Sequence, residues 1–207
     1  MISRIRVQMI VALVIIVFAA GIWVSGDTPQ LQWLRFYSVA VVVVLLALAA
    51  WDNWLWRLPL VQRVASVPRD IRGTWKGDLD SFWKDDTGSS SPKKTAYLVV
   101  RQSAWRVSVV LLTDESRSAS SLATVSSGGM TPSLDYMYLN RPDSRFEERS
   151  RIHHGSASLD IVGLPANRLR GRYWTNRDSR GELDFTARVL RIAEDYQEAE
   201  REFTPSI

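Results

Sequence analysis

Three groups of side chains in this sequence could do chemistry, and all three would do it by binding. The first is Tyr136-Met137-Tyr138-Leu139-Asn140. On a strand, spacing by two puts Tyr136, Tyr138 and Asn140 on one face. Facing a cavity, two phenols and an amide could stack on a nucleobase and hydrogen-bond to its edge. Taken singly, each tyrosine also suits an ordinary packed core. The second group is Gly171-Arg172-Tyr173-Trp174-Thr175-Asn176-Arg177. Tyr173 and Thr175 share the expected inner face with Leu169 and Gly171. Arg172 and Trp174 then point outward or toward a neighbouring protomer, and Arg177 lies near a rim. An aromatic floor, a hydroxyl and guanidinium groups at a mouth suit an anionic ligand. A surface cluster of arginines without a ligand is the competing explanation. The third group is residues 97–102. Either Tyr97, Val99 and Arg101 face inward, or Leu98, Val100 and Gln102 do. The second set is favoured, which leaves Arg101 outside but still a candidate.

Catalytic arrangements are missing from the sequence pattern. His153 and His154 are adjacent, so on a strand they point to opposite faces and cannot share a metal ion. No Ser-His-Asp spacing and no Gly-rich phosphate loop is present. Asp78 and Asp80 share a face, which a solvated strand end explains. The chain is therefore expected to be a binder, not an enzyme, with no cofactor and no metal site.

The elements that must position these residues are strands. Residues 70–83 read Asp-Ile-Arg-Gly-Thr-Trp-Lys-Gly-Asp-Leu-Asp-Ser-Phe-Trp. Ile71, Gly73, Trp75, Gly77 and Leu79 fall on one face and Arg72, Thr74, Lys76 and Asp78 on the other, the alternation of a half-buried strand. Glycines two residues either side of Trp75 would leave room beside its ring where a wall curves sharply, and Trp75 joins the candidate ligand contacts. Strands are expected at residues 71–83, 95–102, 105–113, 116–125, 134–140, 150–162, 168–175 and 181–190. The intervening turns are rich in Gly, Pro, Ser, Asn and Asp. Residues 192–203 read as a charged helical tail. The lack of a helical period between strands argues against a parallel α/β sheet. The fold class is mainly β: an eight-stranded antiparallel up-and-down barrel, lipocalin-like, with a two-sheet sandwich as the alternative.

Two apolar runs precede the barrel. No charged residue lies between Arg6 and Asp27, and residues 9–24 are almost wholly apolar; a second run covers residues 36–51. At about 1.5 Å per residue each could cross a hydrocarbon core of about 30 Å. A cleaved signal peptide fits the basic start but not the length of the first run or the second run that follows it. The expectation is a two-helix transmembrane hairpin. Arg4 and Arg6 before it and Arg57, Arg63, Arg69 and Arg72 after it, with no cation in the link before Arg35, place both termini and the barrel in the cytoplasm of a multi-pass inner-membrane protein. Trp23, Trp33, Trp51, Trp54 and Trp56 are expected to form an aromatic belt at the span ends. Small residues on both helices would permit close packing and oligomerisation. The domain expectation is an anchor at residues 1–57, a linker at 58–69, a ligand-binding barrel at 70–190 and a tail at 191–207.

Composition narrows the partners. The 207 residues carry a net charge of only +4, too little to indicate duplex nucleic acid. Twenty-two of the 26 cations are arginine, which favours bidentate phosphate contacts, although a GC-rich genome would give the same excess. There is no cysteine, which excludes disulfides and thiolate metal sites.

Two membrane helices, a short linker and Gly73-Thr74-Trp75-Lys76-Gly77 opening an eight-strand domain resemble a known family. With Tyr-x-Tyr-x-Asn on strand five and Gly-x-Tyr-Trp-Thr-x-Arg on strand seven, the order of parts is similar to the two-transmembrane β-barrel effectors of bacterial cyclic-oligonucleotide anti-phage signalling systems (CBASS). The resemblance spans essentially the whole chain. It implies that the barrel binds a cyclic dinucleotide made during infection, that protomers oligomerise, and that the helices disrupt the inner membrane and kill the infected cell. The partners it implies are the cyclic dinucleotide, membrane lipid and further copies of the chain. Two other functions fit the residues: a membrane-anchored lipocalin-like binder of a lipid or other apolar molecule, and a scaffold whose barrel is filled by its own side chains.

Overall fold

A computed structural model of the chain describes residues 4–25, 33–82, 93–127, 131–146, 151–177 and 179–204. The chain divides into two compact units, Met1–Leu55 and Trp56–Ile207. The first unit holds helix α1, Arg4–Ser25, and helix α2, Trp33–Asn53, which contact each other. Ala40 and Val44, one turn apart on α2, are buried, while Val11, Ile15, Ile16, Val42, Leu45 and Leu46 are exposed. Side chains are described for residues 10–24 of α1 and 39–53 of α2, about 22 Å of helix each. Among the described residues no helix is long and apolar enough to cross a membrane. The expected tight link between the helices lies outside the described residues, as do the loop at residues 83–92 and most of the Gly128-Gly129 turn.

The aromatic belt needs one correction. Trp23 and Trp54 are exposed, but Trp56 is fully buried and belongs to the second unit. The linker after it is ordered by one amide. Gln62 Nε2 donates to the carbonyls of Trp56 at 2.7 Å and Pro68 at 3.1 Å, and its Oε1 accepts from Asp70 N–H at 3.0 Å. Gln62 is buried, so these bonds satisfy a polar group that would otherwise be costly.

The second unit is the expected antiparallel barrel, and it is closed, which excludes the sandwich. Its strands are β1 Gly73–Ser81, β2 Lys94–Gln102, β3 Val107–Leu112, β4 Ser116–Ser126, β5 Ser133–Pro142, β6 His153–Val162, β7 Arg168–Thr175 and β8 Arg180–Val189. Each pairs with its sequence neighbour and β8 pairs with β1. The strands beginning at Val107 and His153 start two and three residues later than expected. The seam between β1 and β8 is irregular, with a register shift between Lys76 and Gly77. A Cβ at Gly77 would run into the carbonyl of Asp184 and lie 2.5 Å from Phe185 Cα. The glycines flanking Trp75 thus admit the backbone of the neighbouring strand rather than making space for the indole. Gly73, at φ 122°, meets the carbonyl of Val189 in the same way.

Inward residues form one continuous core that includes Ile71, Trp75, Leu98, Val100, Leu134, Leu159, Leu169, Leu183 and Phe185. Leu98 and Val100 therefore face inward, as favoured. Tyr97 and Val99 are also buried, on the outer wall, beneath helix α3, Tyr196–Glu202. Tyr97 stacks on Phe203 at 5.8 Å and meets Tyr196 edge-on at 5.3 Å. The helix is capped by Asp195, whose carboxylate accepts from Glu198 N–H at 2.7 Å, while Glu198 reaches back to Glu194 N–H at 2.8 Å. The approach to α3 is pinned by Thr74, fully buried on the outer face of β1. Its hydroxyl donates to the Arg191 carbonyl at 2.7 Å and accepts from Ala193 N–H at 3.0 Å.

Two outcomes follow from these contacts. Thr74→Val keeps the shape but strands a buried carbonyl and N–H, so urea melts should show a loss of about 2 kcal/mol. On the outer wall Arg168 grips Asp184 through bonds of 2.7 and 2.6 Å, and those bonds hold the Asp184 carboxyl below its ordinary pKa against the opposing pull of burial. A depressed carboxyl stabilises the fold above the unfolded value of about 3.9 and loses that contribution as pH falls through the folded value. Arg168→Gln should therefore lower the urea midpoint at pH 7, with the difference from wild type shrinking below about pH 4.

Candidate functional site

The barrel interior has two halves of different chemistry. The chain enters and leaves at one end, which the indole of Trp75 fills. Trp75 Nε1 donates to the Ile71 carbonyl at 2.8 Å, and the Arg188 guanidinium lies over the ring at 5.1 Å. Arg188 is spent on the backbone, donating to the Arg72 carbonyl at 2.9 and 2.6 Å and to Asp70 O at 3.0 Å, with Asp70 Oδ1 at 3.3 Å. Burial lowers the pKa of Arg188, and the Asp70 carboxylate opposes that shift. Gln102 closes the same end: its Oε1 accepts from Ile71 N–H at 2.9 Å and its Nε2 donates to Arg69 O at 2.8 Å.

Toward the opposite end the inward side chains turn polar. Tyr136, Tyr138, Asn140 and Tyr173 are all buried. The Tyr136 and Tyr138 rings lie 5.8 Å apart, tilted by 45°. Ser118, inward on β4, donates to Asn140 Oδ1 at 2.7 Å. Two glycines explain how three tyrosines fit inside eight strands. Gly155, the cross-strand partner of Tyr138, lies under the Tyr138 ring so closely that a Cβ would overlap it. A Cβ at Gly181, the partner of Tyr173, would come within 2.7 Å of that ring. Both rings therefore lie against the wall over a bare stretch of the adjacent strand.

The three phenols are held protonated. Burial raises Tyr136, with the neighbouring Tyr138 adding to it; burial and then Tyr173 raise Tyr138. Burial likewise raises Tyr173, against a hydrogen bond with Ser81. All three are donors at neutral pH. The Tyr136 hydroxyl is buried without a hydrogen-bond partner, an arrangement native interiors seldom keep.

Thr175 and Arg177 organise the rim at this end. The Thr175 hydroxyl pairs with Ser179 Oγ at 2.7 Å and accepts from Arg177 N–H at 3.2 Å. Arg177 Nη1 donates to the Arg151 carbonyl at 3.2 Å, joining the β7–β8 turn to the segment before β6. His153 Nδ1 sits 2.9 Å from the same carbonyl. Burial lowers the pKa of His153, that hydrogen bond resists the shift, and the charge of Arg177 adds to it. Arg141, Arg145, Arg151 and Arg177 are exposed around this mouth.

Of the residues singled out in the sequence, the fold brings Tyr136, Tyr138, Asn140, Tyr173 and Thr175 together inside, with Arg177 at their rim. Trp75 is inside but at the far end. Arg101 and Arg172 are on the outer wall, 3.9 Å from Glu194 and Glu182 respectively. Ser118, Gly155 and Gly181 were not singled out: a serine in a serine-rich strand and glycines at strand positions carry no chemical signature until cross-strand register is known. Among the described residues no cluster of His, Asp and Glu could hold a metal ion. What the described residues of the polar half offer is hydroxyl donors, the Asn140 carboxamide and aromatic faces, beneath a guanidinium rim.

The comparisons with known proteins meet this geometry. Residues 66–187 match the family model described as Cap15, cyclic dinucleotide receptor domain. The chain is 29% identical over 169 residues to CD-NTase-associated protein 15 of Staphylococcus schleiferi, an alignment covering 82% of this chain and 88% of that protein. A barrel with a polar, aromatic and partly unsatisfied interior, matched over all but the last two residues of its sheet, is thus accounted for: the chain belongs to the Cap15 cyclic dinucleotide receptor family of CBASS effectors.

Proposed function

We propose that this protein is a membrane-anchored receptor whose barrel takes a cyclic dinucleotide through its polar end, and that occupancy drives oligomerisation and disruption of the inner membrane. The observation that carries the reading is the Tyr136 hydroxyl, a buried donor with no hydrogen-bond partner, its ring against that of Tyr138. A base edge offering an acceptor would satisfy it, and the tyrosine faces would cover the base. A cyclic dinucleotide carries two phosphate charges, which are costly to bury without partners. They belong at the mouth, where Arg177 and Arg151 are exposed, while an uncharged base goes deeper. Arg101 and Arg172 are left out of this contact set, and Trp75 serves as the floor.

Support for the anchor comes from length and sequence. Helices of 22 and 21 residues measure about 33 and 31 Å, close to the hydrocarbon thickness of about 30 Å. The exposed Val, Ile and Leu side chains on both suit lipid, and the distribution of arginines supports a barrel on the cytoplasmic side.

Thermal melting of the detergent-solubilised full chain against cyclic dinucleotides and fatty acids tests the receptor reading. One cyclic dinucleotide at about 100 times its Kd should add roughly 2.7 kcal/mol; a response to fatty acids alone would point to a lipocalin-like binder instead. Tyr136→Phe should leave the unliganded barrel as stable as wild type or slightly more so, since it removes an unsatisfied group, while weakening cyclic dinucleotide binding about tenfold. An unchanged affinity would remove Tyr136 from the contact set.

A further inference from the structure

The outer wall of the barrel carries an apolar row that neither the core nor the proposed ligand site uses. Leu122, Met137 and Trp174 are 65%, 52% and 51% exposed. They are not scattered. Leu122 is paired with Met137, Met137 with Ser156, and Ser156 with Trp174, so the four sit side by side across β4, β5, β6 and β7. The bulge between Ser120 and Leu122 turns Leu122 outward, and the Ser121 hydroxyl bonds to the Met137 carbonyl at 3.3 Å behind it. One step along the strands lies a charged row of the same layout. Asp135 pairs with Ser158, and Ser158 with Arg172. The Asp135 carboxylate is fixed by Ser133 Oγ at 2.7 Å and Ser158 Oγ at 2.5 Å. Arg172 is 79% exposed, with Glu182 at 3.9 Å.

We propose that this wall docks on the same wall of a second copy, about a two-fold axis running along β6. The pattern is self-complementary under that one operation. Rotation keeps each level and exchanges the two sides. Met137 then faces the partner's Trp174, a favourable sulfur–aromatic contact, and Asp135 faces the partner's Arg172. The shapes agree as well. Strands tilt against a barrel's axis, so the two convex barrels cross and touch first at the two-fold axis, where the residues, Ser156 and Ser158, are small. The long side chains stand to either side, where the wedge between the walls opens. Three half-exposed side chains fall short of the roughly 800 Å² per partner that a stable complex needs. The contact therefore forms where chains are already concentrated on one surface. The trigger and the concentration on a membrane rest on the proposed function; the self-complementary wall itself does not.

The chain has no cysteine, so a single one reports cleanly. The full chain carrying Ser156→Cys, in lipid vesicles, should be captured as a dimer by a short bismaleimide when cyclic dinucleotide is added. Ser108→Cys, exposed on β3 across the barrel, should be captured about tenfold less, and Trp174→Glu should cut capture at residue 156 by a similar factor. Thermal melting of each variant with ligand checks that binding persists. Equal capture at both positions, or none at residue 156 in ligand-loaded vesicles, overturns the proposal. If wild type takes up no cyclic dinucleotide, the receptor reading falls, and capture at residue 156 relative to residue 108 then decides the surface without ligand.

Discussion

Everything in the second unit depends on closing an eight-stranded sheet at the β1–β8 seam. Eight strands enclose an interior only wide enough for side chains or one small ligand. The seam closes because Gly73 and Gly77 let the β8 backbone approach to distances a Cβ would forbid. Once it closes, the interior must be filled along its length. Trp75, Phe185 and the aliphatic residues do so at the end where the chain enters. At the other end the same constraint presses tyrosine rings flat against glycines, which is how bulky donors are accommodated within a narrow tube.

The two halves also separate two electrostatic tasks. At the filled end the buried donors described are used internally: Arg188 on backbone carbonyls, Gln62 and Gln102 on the ordered linker, the Trp75 indole on Ile71. These bonds stiffen the joint and offer nothing to a ligand. At the polar end, hydroxyls and an amide lie within low-dielectric surroundings, where a hydrogen bond to a correct partner is strong and a missing one is costly. A site built this way favours a neutral, planar, hydrogen-bonding group in its depth and leaves anionic groups to the exposed arginines.

The barrel was legible in the sequence because most strands bury one face only, which prints a period of two. The pattern carries least information where that period breaks. On β2 both faces are buried, because α3 covers Tyr97 and Val99, so alternation could not by itself decide which set faces inward. On β4 the bulge near Ser121 shifts the phase, and no residue type announces it. Trp56 follows Trp51 and Trp54 so closely that proximity suggests a shared interfacial role, yet its side chain is fully buried. That Tyr136, Tyr138 and Asn140 share a face, and Tyr173 and Thr175 another, followed from spacing alone. Their closeness to Ser118, Gly155 and Gly181 did not, since register between strands is a property of the closed sheet.

The chain joins and leaves the barrel at the filled end, through the linker held by Gln62 and the segment pinned by Thr74. Among the described residues, the hydrogen bonds of Gln62 and Thr74 reach none of the four connections at the polar end, β1 to β2, β3 to β4, β5 to β6 and β7 to β8. Mutational drift in those connections is therefore uncoupled from the attachment of the domain. A lineage could rewrite what its barrel recognises by exchanging loops while keeping one unaltered chassis, the same division of labour that lets an antibody domain diversify at one end of a constant framework.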